Sequence, residues 1–175
     1  MNLENYGVIL KKLTHDKIEL VRRWRNDPKI SQFMEYREEI TPEMQEKWFR
    51  KIDNSGVDFF FIIEYNGEEI GLINIRDVDF DKKTGEPGIF IWEDKYLNTG
   101  LAFRASFCIM DWAFYTLKLE TLRAHILSDN KRSIQYAKAR GYVLAENQEN
   151  VYNQLYIVNE SDYRKCRDKL IKYIR

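Results

Sequence analysis

Tyr96–Leu97–Asn98–Thr99–Gly100–Leu101–Ala102 is the stretch around which the rest of the chain is organised. A short apolar run, Ile89–Phe90–Ile91–Trp92, precedes it, and a helical pattern follows from about Thr99 to Leu117. Strand, polar turn and helix start, in that order, make an anion site. The first turn of a helix leaves backbone N–H groups without partners, and the dipole there is positive. Gly100 and Ala102 keep side-chain bulk away, so a phosphate can approach the main chain closely. The same seven residues also suit a plain strand-to-helix connection.

Working outward, the helix carries two apolar seams. Leu101, Ala105, Cys108, Ile109 and Trp112 form one; Phe103, Phe107, Met110, Phe114 and Leu117 form the other. A helix apolar nearly all round belongs between layers, so this is the expected central helix. Thr121–Leu122–Arg123–Ala124–His125–Ile126–Leu127 reads as a strand. Ser128–Asp129–Asn130 then opens a short helix that stops at Gly141, a C-cap glycine.

These residues resemble the GCN5-related N-acetyltransferases. The family's cofactor loop reads Gln/Arg-x-x-Gly-x-Gly/Ala, and Gly100–Leu101–Ala102 fits its last three positions. Leu97 replaces the Gln or Arg, and Asn98 stands where glycine is frequent. The downstream pattern, an asparagine, then Ala or Ser, then Gly-Phe/Tyr, is matched by Asn130, Ser133 and Gly141–Tyr142. The resemblance spans roughly residues 8 to 158, most of the chain.

The remaining segments are consistent with one domain over residues 1–175, large enough for a substantial core. Val8–Ile9–Leu10 and Leu13 read as a strand, followed by a helix to about Arg25 that ends before Pro28. A short helix through Ile30, Phe33 and Met34 follows, and Thr41–Pro42–Glu43 is a strong helix start. Val57 to Tyr65, Asn66–Gly67 and Glu69 to Ile75 read as a hairpin. Asp79 to Gly85 reads as a loop. Tyr142–Leu144 and Asn153–Val158 read as a second hairpin, and a charged helix runs from about Ser161 to Tyr173. This order predicts an α/β (α+β) fold: a mixed, mostly antiparallel sheet of about seven strands with helices on both faces. The family resemblance implies the same.

Lysine plus arginine and aspartate plus glutamate both number 28, so the formal charge is zero. That argues against nucleic acid or a polybasic membrane role. No apolar run approaches the roughly 20 residues that span a bilayer, and Met1–Asn2–Leu3–Glu4 lacks signal-peptide features. A cytoplasmic protein is expected. Cys108 and Cys166 are isolated, with neither metal spacing nor a disulfide signature, and no metal is expected.

The resemblance implies acetyl-CoA as cosubstrate and a primary amine as acceptor. Backbone groups of Leu97, Asn98, Thr99, Gly100, Leu101 and Ala102 would hold the diphosphate, with Asn130 and Ser133 beside the cofactor. Ile89, Phe90 and Ile91 would offer unpaired strand groups to the pantetheine and to the developing oxyanion. Glu86 is the first candidate for the base and Glu93 the second; a turn glutamate is the plainer reading of Glu86. An acid for the departing thiolate is less well marked. The family's usual tyrosine position is occupied by Ala137. Ser133 is the first candidate and Tyr136 the second, although Tyr136, about 100° round the helix, is expected to point elsewhere. His125 reads as structural.

The acceptor end resembles a subgroup of the family, the amino-sugar acetyltransferases of pseudaminic acid synthesis, through Trp24–Arg25–Asn26–Asp27–Pro28 up to Met34 and Trp48–Phe49. Candidate acceptor contacts are Trp24, Arg25, Asn26, Phe33, Trp48, Tyr152 and Tyr156. Helix packing explains Trp24, Phe33 and Trp48 equally well. Arg25 or Arg37 could pair with a nucleotide phosphate. The first reading is transfer to the 4-amino group of a nucleotide-linked amino sugar; the alternatives are a RimJ/RimL-like protein N-terminal or small-amine acetyltransferase and a CoA-binding protein without turnover. A homodimer stays open.

Overall fold

Asn66–Gly67 forms the tight turn its residues predict, with positive φ at both positions, 51° and 79°. It joins β3 (Phe59–Tyr65) to β4 (Glu68–Asp79), the hairpin at the middle of the sheet. The computed structural model describes residues 1–174. Before this hairpin come β1 (Asn2–Asn5), β2 (Val8–Lys12), α1 (Ile18–Asn26), α2 (Pro28–Ser31) and α3 (Pro42–Asp53). After it come β5 (Thr84–Ile91), α4 (Leu101–Asp111), β6 (Thr121–Leu127), α5 (Lys131–Ala139), β7 (Val143–Leu144), β8 (Asn153–Asn159) and α6 (Glu160–Leu170).

The sheet has eight strands in the order β1-β2-β3-β4-β5-β6-β8-β7, one more than expected. The additional strand is β1, which folds back on β2 through Tyr6–Gly7. Tyr6 has φ 54°, and a tyrosine gives no sequence signal for a left-handed turn. All neighbouring strands are antiparallel except β5 and β6, which run parallel.

Alternation along β3 and β4 sends side chains to two cores. Phe61, Ile63, Ile73 and Ile75 pack against α4, while Ile62 and Leu72 pack with Val21 and Trp24 of α1 and Phe49 and Ile52 of α3. Helices thus cover both faces. The central helix starts two residues later than its pattern suggests and leaves α geometry at Trp112, continuing as a wider π turn to Thr116.

Asp111 at the end of α4 ties three parts of the chain together. It accepts hydrogen bonds from Tyr163 Oη at 2.7 Å, from Arg167 Nη1 at 2.7 Å and from Tyr6 Oη. Burial, reinforced by this carboxylate, pushes both phenols above their ordinary range.

Candidate active site

β5 and β6 are paired only at Thr84↔Thr121 and Gly85↔Leu122. Beyond these, although β5 continues to Ile91 and β6 to Leu127, the two strands share no further ladder pair among the described residues. A wedge therefore opens in the middle of the sheet, and α5 crosses its far side. Two cavities meet there, of about 550 and 460 Å³. They share Phe33, Met34, Ile89, Asn130, Ser133 and Tyr136 as lining.

The smaller cavity runs along Ile89, Phe90 and Ile91 to Leu97 and Ala102. At its end is the start of α4. Gly100 is the N-cap at φ 81°, and no side chain caps the helix. By contrast Asp27, Thr41, Asn130 and Asn159 each cap their own helix by accepting from a backbone N–H. The first-turn donors of α4 are thus left for a ligand. Asn98, in the place of a frequent glycine, adopts φ 63°; asparagine tolerates this left-handed conformation. Its Oδ1 also accepts from Arg132 Nη2 at 3.2 Å, which ties the loop to α5. Thr99 Oγ1 closes the loop by donating to Tyr96 O at 2.6 Å. Leu101 is buried, so only its backbone can meet a ligand.

α5 buries Ile134 and Ala137. That leaves Ser133 and Tyr136, also three residues apart, as the stripe that lines the groove. The expectation that Tyr136 points elsewhere is therefore corrected: the family's tyrosine position faces the core here, and its neighbour faces the groove. Tyr136 Oη donates to Ala102 O at 2.8 Å and lies 2.5 Å from Ser106 Oγ. Its proton is committed to α4, and burial pushes the phenol above its ordinary value. Ser133 N–H is capped by Asn130 Oδ1 at 3.1 Å, while its Oγ has no hydrogen-bond partner among the described residues.

Glu86 lies inside β5, not in a turn before it, and is buried. The opening between the strands lets its carboxylate reach across to β6. Oε1 accepts from His125 N–H at 3.1 Å, and His125 Nδ1 is 2.9 and 3.0 Å from the two carboxylate oxygens. Arg76 Nη2, opposite in the β4–β5 register, lies 3.3 Å from Oε1. Burial alone would raise this carboxyl. The His125 hydrogen bonds and the Arg76 charge together outweigh it and hold Glu86 below its ordinary value.

The larger cavity is rich in guanidinium groups. Arg25, Arg76 and Arg140 line it, against the carboxylates of Glu35 and Glu86. Burial, with the like charge of Arg76 behind it, pushes Arg25 below its ordinary value. Among the described residues Arg25 has no hydrogen bond or carboxylate partner. Arg140 is buried and stacks on the Tyr136 ring, 3.9 Å from its centre, also without a carboxylate.

Of the residues expected to contact the acceptor, Arg25 and Phe33 line this cavity. Trp24, Asn26, Trp48, Tyr152 and Tyr156 do not. Trp24 is buried against Trp92 and Phe90, and Trp48 packs edge-on against Phe60 at 5.0 Å. Asn26 exchanges two hydrogen bonds with the backbone of Ile40, at 2.9 and 2.8 Å. Tyr156 is buried with its hydroxyl on Gln154, and Tyr152 is exposed with its hydroxyl on Asp129. Arg37, the alternative phosphate partner, donates to Met34 O on the exposed surface. Arg76, Arg140 and His125 are the site residues that the sequence did not reveal. No helix among the described residues is long and apolar enough to cross a membrane.

A split parallel pair beside an uncapped helix start offers unpaired backbone groups to a long anionic cosubstrate, as a CoA-dependent acyltransferase requires. Residues 8–143 match the model of the acetyltransferase (GNAT) domain, and the chain belongs to that family. It is an N-acetyltransferase with acetyl-CoA as donor. Acetyltransferase PseH of Campylobacter jejuni (serotype O:2) is 26% identical over 152 residues, covering 87% of this chain and 90% of the relative. Among solved structures, apo FdhC, a nucleotide-linked sugar GNAT, superposes with a TM-score of 0.82 at 19% identity, covering 100% of this chain and 99% of that one. Spermidine N-acetyltransferase from Vibrio cholerae, in complex with CoA and spermine, superposes with a TM-score of 0.78 at 19% identity, covering 91% and 99%.

Proposed function

We propose that the acceptor is the amine of a nucleotide-linked amino sugar. The observation that carries this reading is the charge of the larger cavity. Arg25 and Arg140 present guanidinium groups without carboxylate partners, and Arg76 already engages Glu86. An anionic diphosphate on the acceptor would compensate them through charge-assisted hydrogen bonds. A polyamine would bring more positive charge to the same place, at a cost that rises as water is excluded. Apo FdhC, the structural neighbour described as a nucleotide-linked sugar GNAT, supports the same choice.

In this reading the diphosphate of acetyl-CoA sits on the first-turn N–H groups of α4, with the Asn98–Gly100 loop shaping the approach. The open edge of β5 at Ile89–Ile91 offers a donor to the developing oxyanion, a placement that commonly contributes several kcal/mol. The amine enters from the Arg25 side. Ser133 Oγ, free at the junction of the two cavities, donates to the departing thiolate. A thiol titrates near 8.5, so little acid help is needed.

The test is thiol release from acetyl-CoA with UDP-linked amino sugars, N-terminal peptides and spermidine as acceptors. Preference for a nucleotide-linked sugar is expected. Arg25→Ala then raises its KM about 10- to 100-fold, the equivalent of about 1.5–3 kcal/mol for a hydrogen bond to a charged group, and leaves the KM for acetyl-CoA within about twofold. A polyamine or peptide as preferred acceptor overturns the reading.

A further inference from the structure

We infer that His125 is the general base of the transfer and that Glu86 is the residue that positions it. The starting point is which atom of the pair has a free lone pair. Glu86 is ionised and only accepts, so the ring nitrogen 2.9–3.0 Å away, Nδ1, must carry the hydrogen. Nε2 is then left with its lone pair. The imidazole lines the larger cavity with 41% of its side chain exposed, whereas Glu86 is 8% exposed behind it. Both groups line the cavity, and the ring is the more accessible of the two. The carboxylate is also engaged, since Oε1 takes a main-chain N–H, a ring N–H and a guanidinium N–H, and Oε2 shares the ring N–H.

Base strength favours the same assignment. As a class, imidazoles are stronger bases than carboxylates. The hydrogen bonds on Glu86 weaken the carboxylate further. The other charged or titratable side chains around the cavity are Arg76 of β4, Arg25 of α1, Glu35 and Tyr36 after α2, Tyr136 of α5 and Arg140 just after it. Glu35 also offers an unpaired carboxylate among the described residues, but from the exposed segment after α2; His125 offers its lone pair from a strand position fixed by Glu86.

The step balances as follows. An ammonium proton moves to Nε2, and the imidazolium is held by Glu86. The freed nitrogen pair forms the N–C bond to the thioester carbon. The carbonyl pair moves to oxygen and returns as the C–S pair leaves on sulfur. The second nitrogen proton goes to the thiolate, and the imidazolium releases its proton to solvent.

This rests on the larger cavity being the acceptor site but not on the identity of the acceptor, so the kinetic arm uses whichever amine the panel selects. His125→Ala is expected to lower kcat by about 10²–10⁴-fold. Its Kd for acetyl-CoA should stay within about threefold, and added imidazole should restore part of the rate. Glu86→Gln should retain more activity than His125→Ala. It should also move the acid limb of kcat/KM to lower pH, because losing a carboxylate disfavours the imidazolium. His125→Ala at near wild-type rate, with an unchanged pH profile, overturns the assignment and returns the role to Glu86 or water. A second arm needs no acceptor: nitrogen-15 NMR of the resting enzyme should show the Nδ1–H tautomer at His125, and the Nε2–H tautomer overturns it.

Discussion

Gly100→Ala puts a Cβ on a residue held at φ 81°, in the loop whose backbone is assigned to the diphosphate. Two costs follow. An L-residue in the left-handed region costs about 1–2 kcal/mol. The new Cβ would also lie 3.1 Å from Cβ and Cγ2 of Ile174, tighter than an ordinary contact. Ile174 must give by a few tenths of an ångström to admit it, while Arg104 Nε holds its carbonyl at 2.7 Å. A total near 2 kcal/mol lowers Tm of the unliganded protein by roughly 4–8 °C for a chain of this size. Gly56→Ala is the control. Gly56 also has positive φ, 67°, but a Cβ there meets nothing within 4 Å, so the substitution carries the backbone cost without touching the loop. Thermal unfolding and calorimetric titration with acetyl-CoA read the two effects separately. Both variants should lose stability, and only Gly100→Ala should weaken acetyl-CoA tenfold or more, about 1.4 kcal/mol. Equal affinities in wild type and Gly100→Ala would refute the assignment of the diphosphate to this helix start.

Asp111→Ala leaves Arg167, Tyr163 and Tyr6 without their shared acceptor, and Arg167 and Asp111 are each only 16% exposed. Urea unfolding should show a loss of about 3–5 kcal/mol, the usual result of stripping one partner from a buried pair; a loss under 1 kcal/mol would mean that the cluster is not holding α4 to α6. Burial, with Asp111 nearby, pushes the Cys108 thiol up to about 12. At pH 8 a chromogenic disulfide reagent should therefore titrate Cys166 in the native protein and Cys108 only after unfolding, because the thiolate is the reactive form.

What could be read from the sequence was what depends on near neighbours. Thr41 caps α3 by accepting from Met44 N–H at 3.2 Å, and Gly141 sits at φ 97° after α5. In each case the residue itself dictates the geometry. The helix start at Gly100 belongs to the same class. The acceptor end was harder, because an aromatic side chain looks the same whether it lines a cavity or fills a core. Trp24 and Tyr156 fill cores. Asn26 bonds to a backbone 14 residues away, a pairing no local pattern announces. Arg76 faces Glu86 only because the β4–β5 ladder shifts register past Asp77, which has φ 50°. An aspartate does not advertise that bulge, so the arginine could not be counted into place. His125 was read as structural for a related reason: its role is set by a carboxylate 39 residues earlier.

The split between β5 and β6 also bears on how the protein avoids sticking to itself. Bare strand edges at the rim of a sheet invite a foreign strand to add on, the usual first step toward aggregation. Here the bare edge lies in the interior of an eight-strand array, flanked by β4 on one side and screened by α5 on the other. In the proposed site those amides meet a slender pantetheine arm, while β4 and β6 already occupy the places beside β5 in the sheet. The same placement that makes the edge useful for chemistry keeps it harmless in a crowded solution.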